Sequence, residues 1–308
     1  MSNQYSKLTP KMVLDLAAPH TWAASIFPPL LAVCAAASQG YPVSVSLSIV
    51  LLLISVLLQS AVNAINDYFD YVKGADTASD NLEESDSVLV FNDVNPRSVL
   101  WTSIAFIACA LLLGIYCIYM SGPFCLLIAA IGIVVVALYS GGKTPISYLP
   151  IGEAVSGIVM GDLITYACFN VLTLETSPWI LVVSIPLVIN IALIMLTNNA
   201  SDIEKDVVAK RRTLPVLLGR ERSRTLYRTL VFLSYASVFV IALIYFTESL
   251  VVYPFMLLAT LPNASRLMSM DLKPESRIFA MGQISSFNIA MGALYCLMVL
   301  ASGMHLSI

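Results

Sequence analysis

The sequence predicts an all-α, polytopic membrane protein: a bundle of nine transmembrane helices, with the N-terminus cytoplasmic and the C-terminus outside. Three observations predict it. Of the 308 residues, 58% are hydrophobic and only 11% charged, where a soluble domain carries about 25% charge. The mean hydropathy is +0.85. The apolar residues also fall into runs of the length that a bilayer requires, about 20 residues per helix.

The runs, in order, are Thr21–Ser38, Val43–Ile65, Val99–Met120, Phe124–Tyr139, Ile151–Leu172, Trp179–Thr197, Leu230–Phe246, Leu250–Leu261 and Phe279–Leu300. The eighth is the shortest. Four connections are short and turn-like, such as Gln39-Gly40-Tyr41-Pro42 and Ser121-Gly122-Pro123. The hydrophilic ones are Asn66–Ser98, Ser140–Pro150, Asn198–Tyr227 and Asn263–Arg277. With nine spans, all 16 Lys and Arg residues fall on one side of the membrane. The positive-inside rule makes that side cytoplasmic. A missed or extra span would scatter these charges over both faces. Residues 1–308 read as a single transmembrane domain, with motif-bearing cytoplasmic loops at 66–98, 140–150 and 198–227. The start of the chain is polar and predicts no cleaved signal peptide. The basic residues form no tail outside one loop, which argues against a nucleic-acid partner. The six cysteines lie inside apolar runs without metal-type spacing and read as small buried side chains.

Two polar clusters end apolar runs, the first Asn66-Asp67-Tyr68-Phe69-Asp70 and the second Asp202-Ile203-Glu204-Lys205-Asp206. On a helix, Asn66 and Asp70 share a face, as do Asn198, Asp202 and Asp206. Like charges at that spacing repel unless a cation sits between them. Mg²⁺ takes oxygen ligands, usually one or two carboxylates with waters and substrate phosphates. Two carboxylate clusters facing each other at a membrane boundary therefore suggest a metal-diphosphate site whose lipid tail runs into the bilayer. Each cluster follows an even-numbered span, which hints at an internal repeat.

The first cluster continues through Lys73-Gly74-Ala75-Asp76. Together these residues resemble the first motif of the UbiA superfamily of intramembrane prenyltransferases, with a Lys-Gly-x-Asp continuation closest to its 1,4-dihydroxy-2-naphthoate polyprenyltransferase branch. Asn198 to Asp206, continuing through Lys210-Arg211-Arg212-Thr213-Leu214-Pro215 to Gly219, is similar to the second motif. Tyr139 to Glu153, with Gly141-Gly142-Lys143-Thr144-Pro145, resembles a loop of the naphthoate branch. The likeness spans about residues 15–300.

The resemblance implies Mg²⁺-dependent transfer of a polyprenyl group from polyprenyl diphosphate to an aromatic acid acceptor. The acceptor it favours is 1,4-dihydroxy-2-naphthoate, giving demethylmenaquinone, and the superfamily also uses 4-hydroxybenzoate, homogentisate and haem. It implies Asn66, Asp70, Asp202 and Asp206 as metal-holding residues, and Asp70, Asp202, Asp206 and Lys143 as catalytic ones. Tyr139, Lys143, Lys73, Asn198 and Arg212 would bind the diphosphate, with Asp67 and Asp76 as additional acidic residues. His20, Glu153 and Asp162 are candidates for the acceptor pocket. Glu153 lies near the cytoplasmic end of its span, where a carboxylate can also snorkel to water. The site would face the cytoplasm from a multi-pass protein of the cell membrane, among membrane lipid.

Three features depart from the family pattern. Ala18-Pro19-His20-Thr21 stands where relatives carry Arg-Pro. Glu83, Glu84, Asp86 and Asp93 occupy a usually Gly-rich loop. Asp162 lies deep in the fifth span. Readings from other classes are a transporter with a cation pathway and a non-catalytic lipid-binding protein. Transport favours carboxylates near the midplane, which only Asp162 approaches, and the intact aspartates argue against a non-catalytic protein.

Overall fold

A computed structural model describes residues 5–74, 87–141 and 144–303. Among these residues the secondary structure is helical, apart from one isolated bridge between Ser6 and Val94. The helices are α1 (Pro10–Ala17), α2 (Ala23–Ser38), α3 (Val45–Lys73), α4 (Val88–Phe91), α5 (Pro96–Ser121), α6 (Phe124–Ser140), α7 (Gly152–Ser156), α8 (Ile164–Thr173), α9 (Trp179–Ser201), α10 (Ile203–Val208), α11 (Leu214–Leu218), α12 (Arg220–Tyr245), α13 (Val252–Ser269) and α14 (Arg277–Ser302). A π-helical segment, Gly157–Leu163, joins α7 to α8.

Each of the nine predicted runs coincides with helix. Six helices are long and apolar enough to cross a membrane: α3, α5, the continuous α7–α8 unit, α9, α12 and the last one, Pro274–Ser302. The first run, Thr21–Ser38, is α2, and it meets the preceding α1 with its turn, Pro10–Thr21, at 61°. Ahead of the bend the chain passes through Ala18 in the left-handed region (φ 47°), followed by Pro19. Helix α6 is shorter, and α13 carries Pro262, Asn263 and Arg266 in its second half. The chain is thus a multi-pass helical membrane protein.

Local chemistry sets the helix ends near the motifs. Helix α5 starts with Pro96 at its first position and the Asn95 side chain accepting from the Arg97 N–H at 3.0 Å. Helix α3 ends on Gly74 in the left-handed region (φ 66°), which costs glycine no side-chain clash.

Helix α9 is the centre of the bundle: it packs against α12, α14, α7 and the π segment. In lipid there is little hydrophobic drive between helices, so small residues and interhelical hydrogen bonds do the joining. Gly157 and Gly161 lie so close to Val188 of α9 that a Cβ on Gly161 would meet the Val188 backbone N at 2.7 Å. Ser234 of α12 donates to Asn190 of α9 at 2.6 Å, and Tyr295 of α14 donates to the Val183 carbonyl at 2.7 Å. Ser55 of α3 donates to the Ser25 carbonyl of α2, and Ser103 of α5 to the Ala61 carbonyl of α3. Each such bond contributes about 0.6 kcal/mol. Large apolar side chains such as Trp101, Leu112, Phe232 and Leu258 point outward, as a lipid-facing surface requires. A second, smaller core of Leu16, Ala64, Val88, Leu89, Val94 and Val99 pins α1, α4 and the start of α5 to α3, beside the first acidic motif.

Candidate active site

The C-terminal ends of α3 and α9, helix α10, the chain after it, and the N-terminal ends of α7 and α14 meet at one end of the bundle. Their polar side chains define the site.

Helix α10 closes in a way that aims a cation inward. The Lys210 N–H bonds to the Val207 carbonyl and the Arg211 N–H to the Asp206 carbonyl, with Lys210 in the left-handed region (φ 57°). This is a Schellman closure with lysine where glycine is usual. It turns Arg211 back over its own helix. The Arg211 guanidinium donates to Asp70 of α3 at 2.7 Å and lies 3.7 Å from Asp206 of α10. It also stacks on the Tyr148 ring at 4.8 Å. Burial works against its charge, but Asp70, Asp206 and Tyr148 outweigh that and raise its pKa above the usual value. Asp206 is 2% exposed, and its second oxygen accepts from Thr213. Burial pushes its carboxyl from 3.8 up to about 6; Arg211 and Thr213 oppose the rise and Asp202 adds to it.

The second cluster is not one continuous face. Helix α9 ends at Ser201, and Asp202 leaves helical geometry at φ −103°. Asn198 and Asp202 turn to Arg277 at the start of α14, which donates to Asn198 at 2.7 Å and pairs with Asp202 at 3.1 Å. Asp206 turns to Arg211. The break lets the second motif address two cations where an unbroken helix would line up three side chains. Glu204 points away and is held by Arg220 at 2.7 Å.

Other predicted residues lie as follows. Asn66 is half-buried, one turn before Asp70. Asp67 is buried, and its Oδ2 accepts from the Leu89 N–H of α4, so it anchors the 87–94 segment on α3. Lys73 reaches over the Phe69 and Tyr148 rings, at 5.0 and 5.3 Å. Asp76 and Lys143 lie outside the described residues. The Arg212 side chain is exposed while its backbone N–H bonds the Tyr148 carbonyl, so Arg211, and not Arg212, stands between the carboxylates. Glu153 does not snorkel: it is 5% exposed and accepts from Asn199 at 2.9 Å. Tyr139 brings its phenol oxygen against Gly152. Asp162, in the π segment, accepts from Ser184 of α9, away from the other carboxylates. His20 is exposed beside the α1–α2 bend. Next to it, Asn63 and Gln59 of α3 donate to Thr21 at 2.9 and 3.3 Å. An apolar cleft of about 410 Å³ between α9 and α12, lined by Val182, Ile189 and Val240, is remote from this polar end.

Nothing in the sequence by itself assigns a role to Arg211, Arg277, Tyr148, Asn199 or Thr213. Arg211 and Thr213 stand within the second motif without a role of their own, and Arg277 ends the connection before the last run.

Do these residues suit a divalent cation? Among the described residues no three His, Cys, Asp or Glu side chains converge on one point. Asp70 and Asp206, from separate helices, instead share one guanidinium. That guanidinium is a stand-in cation. Mg²⁺ needs only one or two carboxylates when phosphate oxygens complete its shell, so the donor set fits.

A multi-pass helical bundle with two acid-rich helix ends converging at one end is a defined class of membrane protein, and comparison gives its family. The model of the UbiA prenyltransferase family matches residues 26–302. The chain belongs to that family. It is 34% identical over 219 residues to the 1,4-dihydroxy-2-naphthoate octaprenyltransferase of Bacillus subtilis, covering 70% of this chain and 68% of that one. It is 31% identical over 183 residues to the human UbiA prenyltransferase domain-containing protein 1, covering 58% of this chain and 52% of that one. Its fold matches a UbiA homolog of Archaeoglobus fulgidus bound to GPP and Mg²⁺ with TM-score 0.65, at 18% identity over 94% of this chain and 99% of that one.

Proposed function

We propose that this prenyltransferase moves a polyprenyl group from polyprenyl diphosphate to 1,4-dihydroxy-2-naphthoate, giving demethylmenaquinone, at the cytoplasmic face of the cell membrane. In this reading the chain has nine spans, with the N-terminus cytoplasmic and the C-terminus outside. The observation that carries it is the shared cation of Asp70 and Asp206. Two helices separated by more than a hundred residues each aim a carboxylate at one point.

Asn66, Asp70, Asp202 and Asp206 would hold Mg²⁺, which neutralises charge that develops on a departing diphosphate. Arg211, Lys73 and Lys143, with Tyr139, Asn198 and Arg212, form the cationic and hydrogen-bonding wall for the diphosphate oxygens. Arg277 keeps Asn198 and Asp202 in register. Helix packing around α9 excludes water, which would otherwise capture an allylic cation. The ring of the acceptor attacks that cation, and the acceptor carboxylate leaves in the overall conversion.

The test uses purified protein, Mg²⁺, one polyprenyl diphosphate and a panel of aromatic acids, read by mass spectrometry. The expected product is the prenylated, decarboxylated naphthoquinol. Product formed from 4-hydroxybenzoate alone overturns the acceptor assignment, and no product from any acid overturns prenyl transfer to aromatic acids.

A further inference from the structure

The mechanism above leaves the buried acid Glu153 unused. Glu153 is 5% exposed, and no Lys or Arg pairs with it among the described residues. Asn199 satisfies one of its oxygens at 2.9 Å, while the other, Oε2, is buried without a hydrogen-bond partner. A buried carboxyl with an unmet acceptor is costly, and inside a membrane protein such a group marks a site. A second polar atom nearby is in the same state. The Tyr139 hydroxyl, on α6, is buried without a partner, rests against Gly152 next to Glu153, and interacts electrostatically with Glu153 and Arg211. One element thus offers an open acceptor and its neighbour an open donor, beside the residues that face the diphosphate.

We propose that Glu153 is the proton acceptor for a ring hydroxyl of the aromatic acceptor, which sits between Glu153 and Tyr139. This rests on the prenyl-transfer reading above. In the step, the acceptor O–H bond breaks and the proton passes to Glu153 Oε2. The electron pair stays on the acceptor oxygen and enriches the ring. The C1–O bond of the prenyl donor breaks, the diphosphate leaves with that pair, and a ring carbon forms its bond to C1 of the allylic cation. The ring then sheds a proton or carbon dioxide, and Glu153 returns its proton to the oxygen. Asn199 is the positioning residue: it fixes Oε1 so that Oε2 faces the hydroxyl. The preference this predicts is for hydroxylated aromatic acceptors whose ring can become a phenolate.

The experiment compares wild type, Glu153→Gln and Glu153→Asp with 1,4-dihydroxy-2-naphthoate and ring-fluorinated analogues whose hydroxyls are more acidic. Glutamine keeps the Asn199 contact and the volume but takes no proton. Expected are a fall in kcat of about 100-fold, an unchanged KM for the polyprenyl diphosphate, an unchanged melting temperature, and recovery of much of the lost rate with the fluorinated acceptors. Activity within twofold of wild type, or a loss that the more acidic acceptors do not recover, overturns the role of Glu153. If the glutamine variant does not fold, Glu153→Ala, which also takes no proton, is compared with the same acceptors under the same two criteria. Wild type that prenylates none of the acceptors overturns the functional reading itself, and this proposal with it.

Discussion

Replacing Arg211 with methionine removes the cation between the two motifs and keeps most of its volume. Asp70 and Asp206 then face each other without a counter-charge. Breaking a buried ion pair from one side costs about 3–5 kcal/mol. Two features reduce that here. The Asp70 side chain is 28% exposed and can turn to water, and Asp206 sits 3.7 Å from the guanidinium, beyond hydrogen-bond range. The Asp206 carboxyl, already raised to about 6, rises further once Arg211 is gone, which lessens the charge left unpaired. The expected cost is therefore about 2 kcal/mol. At about 2 °C per kcal/mol for a chain this large, the melting temperature falls by about 4 °C. The assay is thermal unfolding of purified protein in detergent, with EDTA and with Mg²⁺. In EDTA the full loss is expected. With Mg²⁺ the loss should shrink to less than half, because a ligand of the native state stabilises it by mass action and the variant presents it with an uncontested pair of carboxylates. An equal loss under both conditions refutes the view that the guanidinium stands where a metal ion would.

Other outcomes follow from the same geometry. Asp70→Asn and Asp202→Asn should abolish Mg²⁺-dependent prenyl transfer while the proteins stay folded; full activity in both removes the metal assignment. Lys143→Ala should raise KM for polyprenyl diphosphate far more than KM for the acceptor, which steady-state kinetics reads directly. Asp206 holds its proton more tightly in the folded state than at its ordinary 3.8, so the folded state binds more protons between pH 3.8 and about 6. Its contribution to stability is present below pH 3.8 and lost as pH rises to about 6, by up to about 3 kcal/mol. Chemical denaturation in EDTA should show that decline, and Asp206→Asn should flatten it. Gly161→Ala should cost about 1–3 kcal/mol, because the new methyl meets the α9 backbone, which cannot swing aside; an unchanged melting temperature contradicts the packing described.

The helical architecture was legible because the bilayer imposes it: backbone groups in lipid must bond within their own segment, so apolar runs become helices. All nine runs lie in helix, although only six satisfy length and hydropathy together. The meeting of Asp70 with the second motif was also legible, from residue types that make sense only with a shared cation. The division of the second motif was not. Spacing of four predicts one face for Asn198, Asp202 and Asp206, and spacing is silent about a helix that stops at Ser201. The choice between Arg211 and Arg212 was out of reach for the same reason, since neighbours in a turn point differently and the left-handed Lys210 decides which one turns inward. Glu153 read equally well as a surface anchor and as a buried group, because depth at a helix end depends on what packs over it.

The π segment at Gly157–Leu163 has a consequence for where the bundle puts its negative charge. Glu153 and Asp162 are nine positions apart, and along a regular α-helix that leaves them about half a turn out of phase. One would then meet α9 and the other the hydrocarbon. Both in fact bond to α9, through Asn199 and Ser184. The wider coil, closing its hydrogen bonds one residue later, lags in rotation just enough to bring the second acid round. Removing a single residue from this stretch would restore ordinary winding, and with eight positions between them, about 80° of phase, both acids would still turn towards α9.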